Sequence, residues 1–249
     1  EVGRPGDNGM HPLQSVVAFA DVGDIVEAKA GEGLSLNITG DFADQLSGRD
    51  DDNLVLRAAR ALAHAAGVEA NATLTLDKNL PVASGIGGGS SDAAATLRAL
   101  NALWSLELGV DRLQEIARTL GADVPVCLAG APAYMTGAGD VWAPMRAPSF
   151  AAVLVNPLKP LATPRVYREF DRMKLGGDFS EHPAPAWNDR ATAITHIVSM
   201  SNALTAPARS LLPDVGVIIE ILRNAARVEY AAMSGSGATV FGLYASGDE

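Results

Sequence analysis

The densest chemistry in this 249-residue sequence lies between Leu80 and Asp92, where Pro81-Val82-Ala83-Ser84-Gly85-Ile86-Gly87-Gly88-Gly89-Ser90-Ser91 runs into an alanine-rich segment. Four glycines, with Ser90 and Ser91 at the start of a predicted helix, gather unblocked backbone N–H groups, small side chains and the positive end of a helix dipole, which suits a polyphosphate. The pattern is not a Walker A loop, because the chain has four lysines (Lys29, Lys78, Lys159, Lys174) and none follows a glycine. It is not a dinucleotide fingerprint either: Gly85-Ile86-Gly87-Gly88-Gly89-Ser90 ends in Ser where that pattern requires Gly. The plainer reading is a flexible turn with Ser90 or Ser91 as an ordinary N-cap, although a cap does not need four glycines. A second glycine turn, Met233-Ser234-Gly235-Ser236-Gly237-Ala238-Thr239, reads equally as a tight hairpin or a ligand-contacting loop. In a third segment, Leu120-Gly121-Ala122-Asp123-Val124-Pro125, a carboxylate sits just past a predicted helix end, a place where a lone Asp usually serves as a turn or cap residue.

These segments need elements to hold them. Ser15 to Ala20 and Asp24 to Ala28 read as a hairpin-like pair of strands, and Leu34 to Thr39 as a third candidate with strand-like alternation. Leu54, Ala58 and Leu62 recur at helical spacing, predicting a helix from Asn53 to Ala66 capped by an Asp of the Asp50-Asp51-Asp52 cluster. A strand around Thr73 to Asp77 leads to the glycine tract, and the segment from Ser91 to Trp104 is rich in good helix formers. Further helices are expected at Asp111 to Leu120, Arg190 to Met200 and Val215 to Ala226, with strands at Ala131 to Met135, Ala151 to Val155 and on either side of the Ser234 turn. Gly176 to Pro185 reads as a mobile surface loop, and Pro144 and Pro148 suggest a boundary that divides the chain into 1–149 and 150–249. Irregular alternation of strands and helices without an internal repeat gives the class α+β or mixed α/β.

Composition narrows the partners. Hydrophobic residues at 48% and charged residues at 19% describe a folded chain long enough for one large domain or two modest ones. Acidic residues outnumber basic ones by 29 to 19, a formal charge of -10 with no basic stripe, which argues against a nucleic-acid partner. The single cysteine, Cys127, excludes an intrachain disulfide framework and any Cys-rich zinc site, fits a reducing cytoplasm, and reads as a small buried hydrophobe. No apolar run reaches the ~18–20 residues of a membrane helix, so no membrane partner is expected. Oligomeric state has no sequence signature here, and a monomer or weak dimer is expected.

Together the three chemistry-bearing segments resemble the signature regions of the GHMP kinases and, within them, the family that phosphorylates 4-diphosphocytidyl-2-C-methyl-D-erythritol (CDP-methylerythritol). Gly9-Met10-His11-Pro12-Leu13-Gln14-Ser15, Asp52-Asn53-Leu54, Asp77-Lys78, and Val155-Asn156-Pro157 with Thr163-Pro164 extend the resemblance over nearly the whole chain. The resemblance implies an α+β, two-lobed GHMP kinase fold with the active site in the interlobe cleft. It also implies ATP and Mg2+ as cofactors and transfer of a phosphoryl group to the substrate's 2-hydroxyl in the non-mevalonate isoprenoid pathway.

The same resemblance assigns roles. Pro81, Val82, Ala83, Ser84, Gly85, Ile86, Gly87, Gly88, Gly89, Ser90 and Ser91 would wrap the ATP phosphates, with Asn53 and Lys78 near the adenine. Asp123 would accept the proton of the substrate hydroxyl. Met10, His11, Thr163, Tyr167, Ser234 and Gly235 would hold the cytidyl substrate, His11 bonding the cytosine and Tyr167 stacking on it. Met10 stands where the family has a tyrosine, so one aromatic wall becomes a thioether. Magnesium would keep several waters and take few protein ligands, Ser91 or a nearby carboxylate, so no dedicated metal site is expected. His64, His182 and His196 match nothing. The family also opens with a strand that carries an active-site lysine and asparagine, and this sequence starts beyond it at Glu1. The 249 residues alone are therefore expected to show little turnover and to leave Ser15 to Ala20 with an unpaired sheet edge. Another GHMP small-molecule kinase, or a catalytically inactive nucleotide-binding module of this fold, stays open as an alternative.

Overall fold

Apolar periodicity sets most of the elements in the computed structural model, which describes residues 1–48, 53–177 and 179–244. In chain order the first half contains β1 (Ser15–Val17), β2 (Ile25–Lys29), β3 (Leu34–Thr39), a 3-10 turn (Ala43–Leu46), α1 (Leu54–Ala66), β4 (Ala72–Asp77), α2 (Gly88–Leu103), α3 (Val110–Leu120) and α4 (Val124–Ala129). There follow β5 (Ala133–Thr136), β6 (Val141–Pro144), β7 (Ala151–Val155), α5 (Thr163–Arg172), α6 (Arg190–Ser199), α7 (Thr205–Leu211), α8 (Asp214–Arg223), β8 (Val228–Met233) and β9 (Val240–Tyr244). They pack as two units, each discontinuous in sequence: Glu1–Ala20, Ala83–Ile86 and the chain from Ala131 onward form the first, Asp21–Val82 and Gly87–Gly130 the second.

In the second unit β4 is the central strand, antiparallel to β2 and parallel to β3. A parallel neighbour cannot be reached by a tight turn, and α1 lies in the crossover. Alternation along β4 buries Ala72, Leu74 and Leu76. Helix α1 buries Val55, Ala58, Ala59 and Leu62 along one face and packs against Ala93, Ala94, Leu97 and Leu100 of α2. The cap of α1 differs from expectation: the side chain of Asn53 accepts from the Val55 N–H at 2.9 Å, while Asp50, Asp51 and Asp52 lie outside the described residues. Gly67, with φ 68°, closes the helix in the left-handed conformation.

The first unit has two three-stranded sheets, β1-β5-β6 and β7-β9-β8, both antiparallel. Its core joins Leu161, Val166 and Phe170 around α5 to Leu204, Val215, Ile219 and Leu222 from α7 and α8, and to Met233 and Val240 of the β8–β9 hairpin. The expected hairpin of Ser15 to Ala20 with Asp24 to Ala28 does not form. β1 pairs with β5 and β2 with β4, because the Asp24 carboxylate accepts from the N–H groups of Asn79 and Leu80 at 2.7 and 2.8 Å and commits β2 to the end of β4. The Gly176 to Pro185 loop carries no regular structure in its described residues but is tied down: Gln14 donates to the Ser180 carbonyl at 3.2 Å and Tyr134 to that of His182 at 3.3 Å. No helix among the described residues is long and apolar enough to cross a membrane.

Candidate active site

The glycine tract divides between the two units. Its early part, Ala83–Ile86, groups with the first unit, where it lies on the turn between β8 and β9. The Thr239 N–H donates to the Ser84 carbonyl at 3.0 Å and the Ser234 hydroxyl to the Gly85 carbonyl at 2.9 Å. Gly85 has φ 76°, and a Cβ there would run into the backbone of Gly237, so glycine is required twice over at this contact. Asn202 donates to the Met233 and Gly235 carbonyls at 2.9 and 2.7 Å, and the Thr163 and Ser236 hydroxyls meet at 2.7 Å. Thr163, Ser234 and Gly235 are thus brought together with Ser84 and Gly85.

The later part opens α2. Gly87, left-handed at φ 68°, is the N-cap, no side chain caps the helix, and the first helical bond runs from the Ser91 N–H to the Gly87 carbonyl at 2.9 Å. The helix therefore starts inside the tract rather than at the serines, and the N–H groups of Gly88, Gly89 and Ser90 have no intrahelical acceptor. Ahead of them, the Val82 N–H donates to the Gln45 side chain at 2.9 Å. The Ser91 hydroxyl meets the Cys127 thiol at 3.5 Å, which joins the first turn of α2 to α4. Asp123 is the N-cap residue of α4, a helix too short for its apolar pattern to announce it. The Asp123 side chain does not cap this helix and makes no hydrogen bond among the described residues. It is exposed at its surface, yet the surrounding protein removes enough hydration to raise its carboxyl above the usual carboxylate range. Burial likewise raises the Cys127 thiol, with the Asp123 and Asp92 charges adding to the effect.

Beneath the start of α2 lies a buried ion cluster that was not anticipated. Lys78 is 3% exposed, pairs with Asp24, and donates to Asp92 at 3.1 Å. A Cβ at Gly88 would sit 3.4 Å from the Lys78 ammonium, so the cluster is in contact range of the first turn. Burial pushes the Asp92 carboxyl up to about 7, with Asp24 adding to the rise and Lys78 opposing it. A signal was available: Lys78 continues the inward phase of Ala72, Leu74 and Leu76, and a buried ammonium requires carboxylate partners. Asn53 is also buried, its oxygen spent on the α1 cap.

His11 belongs to the first unit, where α5 surrounds it. Its imidazole lies 4.8 Å from the Tyr167 ring and 5.8 Å, edge-on, from Phe170, and its Nε2 is 2.8 Å from an Asp171 carboxylate oxygen. Tyr167, Phe170 and Asp171 share one face of α5 through i, i+3 and i, i+4 spacing. Met10 is 53% exposed and joins none of these contacts. The first unit thus contains Thr163, Tyr167, Ser234, Gly235, His11, Ser84 and Gly85, and the second Asn53, Lys78, Asp123 and Gly87 to Ser91.

Comparison with known proteins identifies the family. Residues 53–131 match the family described as GHMP kinases N terminal domain, and residues 189–249 match GHMP kinases C terminal. A 4-diphosphocytidyl-2-C-methyl-D-erythritol kinase of Hyphomonas neptunium is 46% identical over 246 residues, 97% of this chain and 82% of that protein. Its counterpart in Parvibaculum lavamentivorans is 46% identical over 250 residues, covering 100% of this chain and 85% of the relative. A crystal structure of 4-(cytidine 5'-diphospho)-2C-methyl-D-erythritol kinase superposes with a TM-score of 0.76 at 33% identity, over 97% of this chain and 84% of that one. Identity of this degree along nearly the whole length, on a backbone of the same fold, means that the chain belongs to the 4-diphosphocytidyl-2-C-methyl-D-erythritol kinases, a branch of the GHMP kinases.

Proposed function

We propose that the chain transfers the γ-phosphoryl group of ATP to the 2-hydroxyl of CDP-methylerythritol, a step of the non-mevalonate route to isoprenoid precursors. The observation that carries the residue assignment is the Ser91–Cys127 contact at 3.5 Å, which sets the uncommitted carboxylate at the head of α4 alongside the uncapped first turn of α2. Free N–H groups at Gly88, Gly89 and Ser90 and the positive helix end receive phosphate oxygens, while Pro81 to Ile86 complete the loop around them. The nitrogen of the Asn53 amide and a remaining ammonium hydrogen of Lys78 serve the adenine side. His11 and Tyr167 hold the cytosine, supported by Thr163, Ser234 and Gly235.

Phosphoryl transfer proceeds through a loose, anionic transition state, so aligning donor and acceptor and neutralising charge supply most of the rate. Asp123 accepts the substrate O–H and orients the oxygen. Burial raises its pKa, which improves it as a base, yet it stays far below that of an alcohol. Its proton transfer therefore accompanies P–O bond formation rather than preceding it. A Mg2+ that keeps several of its waters would arrive on the nucleotide. The Ser91 hydroxyl would hold that ion, which would neutralise phosphate charge. We place this chemistry in the cytoplasm, with small molecules rather than nucleic acid or membrane as partners and a monomer or weak dimer as the working form.

A substrate panel run with the full-length gene product tests the reading. ATP consumption should appear with CDP-methylerythritol and stay at background with mevalonate or homoserine. Comparable turnover of mevalonate or homoserine would move the chain to another GHMP activity, and ATP binding without turnover of any of the three would mark an inactive nucleotide-binding module.

A further inference from the structure

Asp171 has no role in the function just described, yet it makes the one side-chain hydrogen bond recorded for His11 among the described residues. The imidazole is fixed on three sides by one helix: Tyr167 at 4.8 Å, Phe170 edge-on at 5.8 Å, and the Asp171 carboxylate 2.8 Å from Nε2. The His11 side chain is 9% exposed, so water competes little for that bond. An ionised carboxylate can only accept. Nε2 must therefore carry the proton, and in the neutral imidazole this leaves Nδ1 as a bare acceptor. An acceptor matches the exocyclic amino group of cytosine, which donates, and opposes the carbonyl oxygen that uracil carries at the same position.

We propose that Asp171 is a positioning residue that locks His11 as the Nε2-protonated tautomer and so makes Nδ1 an acceptor that selects a cytosine over a uracil nucleotide. This rests on the reading of His11 as the cytosine contact. Removing the carboxylate frees the imidazole to take either tautomer, and the Nδ1-protonated form presents a donor that suits uracil. Because the Asp171 side chain is 42% exposed, its replacement leaves the core untouched.

The NMR measurement uses the full 249-residue chain with 15N-labelled histidine, the His11 signal being assigned by its loss in His11→Ala, and the kinetic measurement uses the full-length gene product. In the ligand-free wild-type protein at neutral pH, Nδ1 should show the shift of an unprotonated imidazole nitrogen and Nε2 that of a protonated one. Asp171→Asn and Asp171→Ala should both show exchange between tautomers. Both should also reduce the ratio of kcat/KM for CDP-methylerythritol to that for its uridine analogue about tenfold, the worth of one neutral hydrogen bond. A proton on Nδ1 in the wild type, or a ratio unchanged in both variants, overturns the proposal. Failure of the underlying reading is seen separately, as an unchanged KM for CDP-methylerythritol in His11→Ala.

Discussion

Replacing Lys78 by methionine keeps the length and apolar stem of the side chain and removes the ammonium held between Asp24 and Asp92. Breaking a buried ion pair from one side costs about 3–5 kcal/mol, because the remaining charge is stranded away from water. Here the two carboxylates have different escapes. Asp24 retains the N–H groups of Asn79 and Leu80 at 2.7 and 2.8 Å. Asp92 already has its carboxyl at about 7 with Lys78 present, so without the cation it rises further and takes up a proton. A carboxyl whose pKa is higher folded than unfolded makes the folded state bind more protons, and stability then falls as pH rises. In the wild type that fall spans the ordinary Asp value up to about 7 and then levels off. In Lys78→Met it continues above that point, so the deficit between the two proteins widens on the alkaline side. At roughly 2–4 °C per kcal/mol for a chain of this size, the Tm loss at pH 8.5 should be about 6–20 °C, and clearly smaller at pH 6. Calorimetric melts of both proteins over this range measure it, and Asp92→Asn on the variant background should recover part of the loss at pH 8.5. A loss that is the same at every pH, or a Tm within 2 °C of wild type at pH 8.5, would refute the reasoning.

Asp123→Asn should lower kcat by at least ~10²-fold with little change in KM, as expected for a group acting in the transition state. Since burial raises the Asp123 carboxyl and its ionised form is the acceptor, wild-type kcat should fall as pH drops through that raised value, and the Asn variant should lack this acid limb. The two glycine positions separate by backbone: Gly85→Ala, at φ 76° against Gly237, should lose both stability and ATP affinity. Gly88→Ala has only ordinary contacts, 3.4 Å to Lys78 and 3.5 Å to Asp24, and should melt within a few degrees of wild type. Isothermal titration with ATP alongside thermal melts distinguishes them, and equal damage at both positions would contradict the geometry. His11→Ala should raise KM for CDP-methylerythritol about 5- to 150-fold, the effect of a cytosine edge left unpaired, while KM for ATP stays as it was. Steady-state kinetics with each substrate varied in turn would expose an effect on both ligands, which would remove His11 from the cytosine.

Local periodicity carried much of the fold. β3 spans Leu34–Thr39 as its alternation required, and α3 differs from the expected helix by one residue at its start. Where pattern was short or diluted, the elements were missed. α4 has six residues and offers no full amphipathic repeat. α5 shows only Val166 and Phe170 as apolar core positions among charged neighbours, and the role of Tyr167 was inferred without the helix that carries it. The β1 and β2 error has another origin: adjacency along the chain favoured pairing the two segments with each other, whereas both partners, β5 and β4, lie far downstream.

The glycine tract, Asp123 and His11 each sit in a contiguous motif, so the sequence alone could nominate them as candidates. Their partners could not be nominated that way. Asp24 is 54 residues from Lys78, Gly85 is 149 from Ser234, and Asp171 is 160 from His11, and no local pattern links any of these pairs. The distant residues act on the state of the near ones. Asp24 and Asp92 hold the Lys78 ammonium beneath the first turn of α2, the Ser234 hydroxyl and Thr239 N–H hold the early part of the glycine tract, and on the proposal above the Asp171 carboxylate decides which imidazole nitrogen keeps the proton. A motif supplies a donor or an acceptor, but in a low-dielectric interior its protonation and direction follow from what the fold sets beside it. For Lys78 that dependence was foreseeable in kind, since the inward phase of β4 buried an ammonium that had to find carboxylates, and only the folded chain could say which ones.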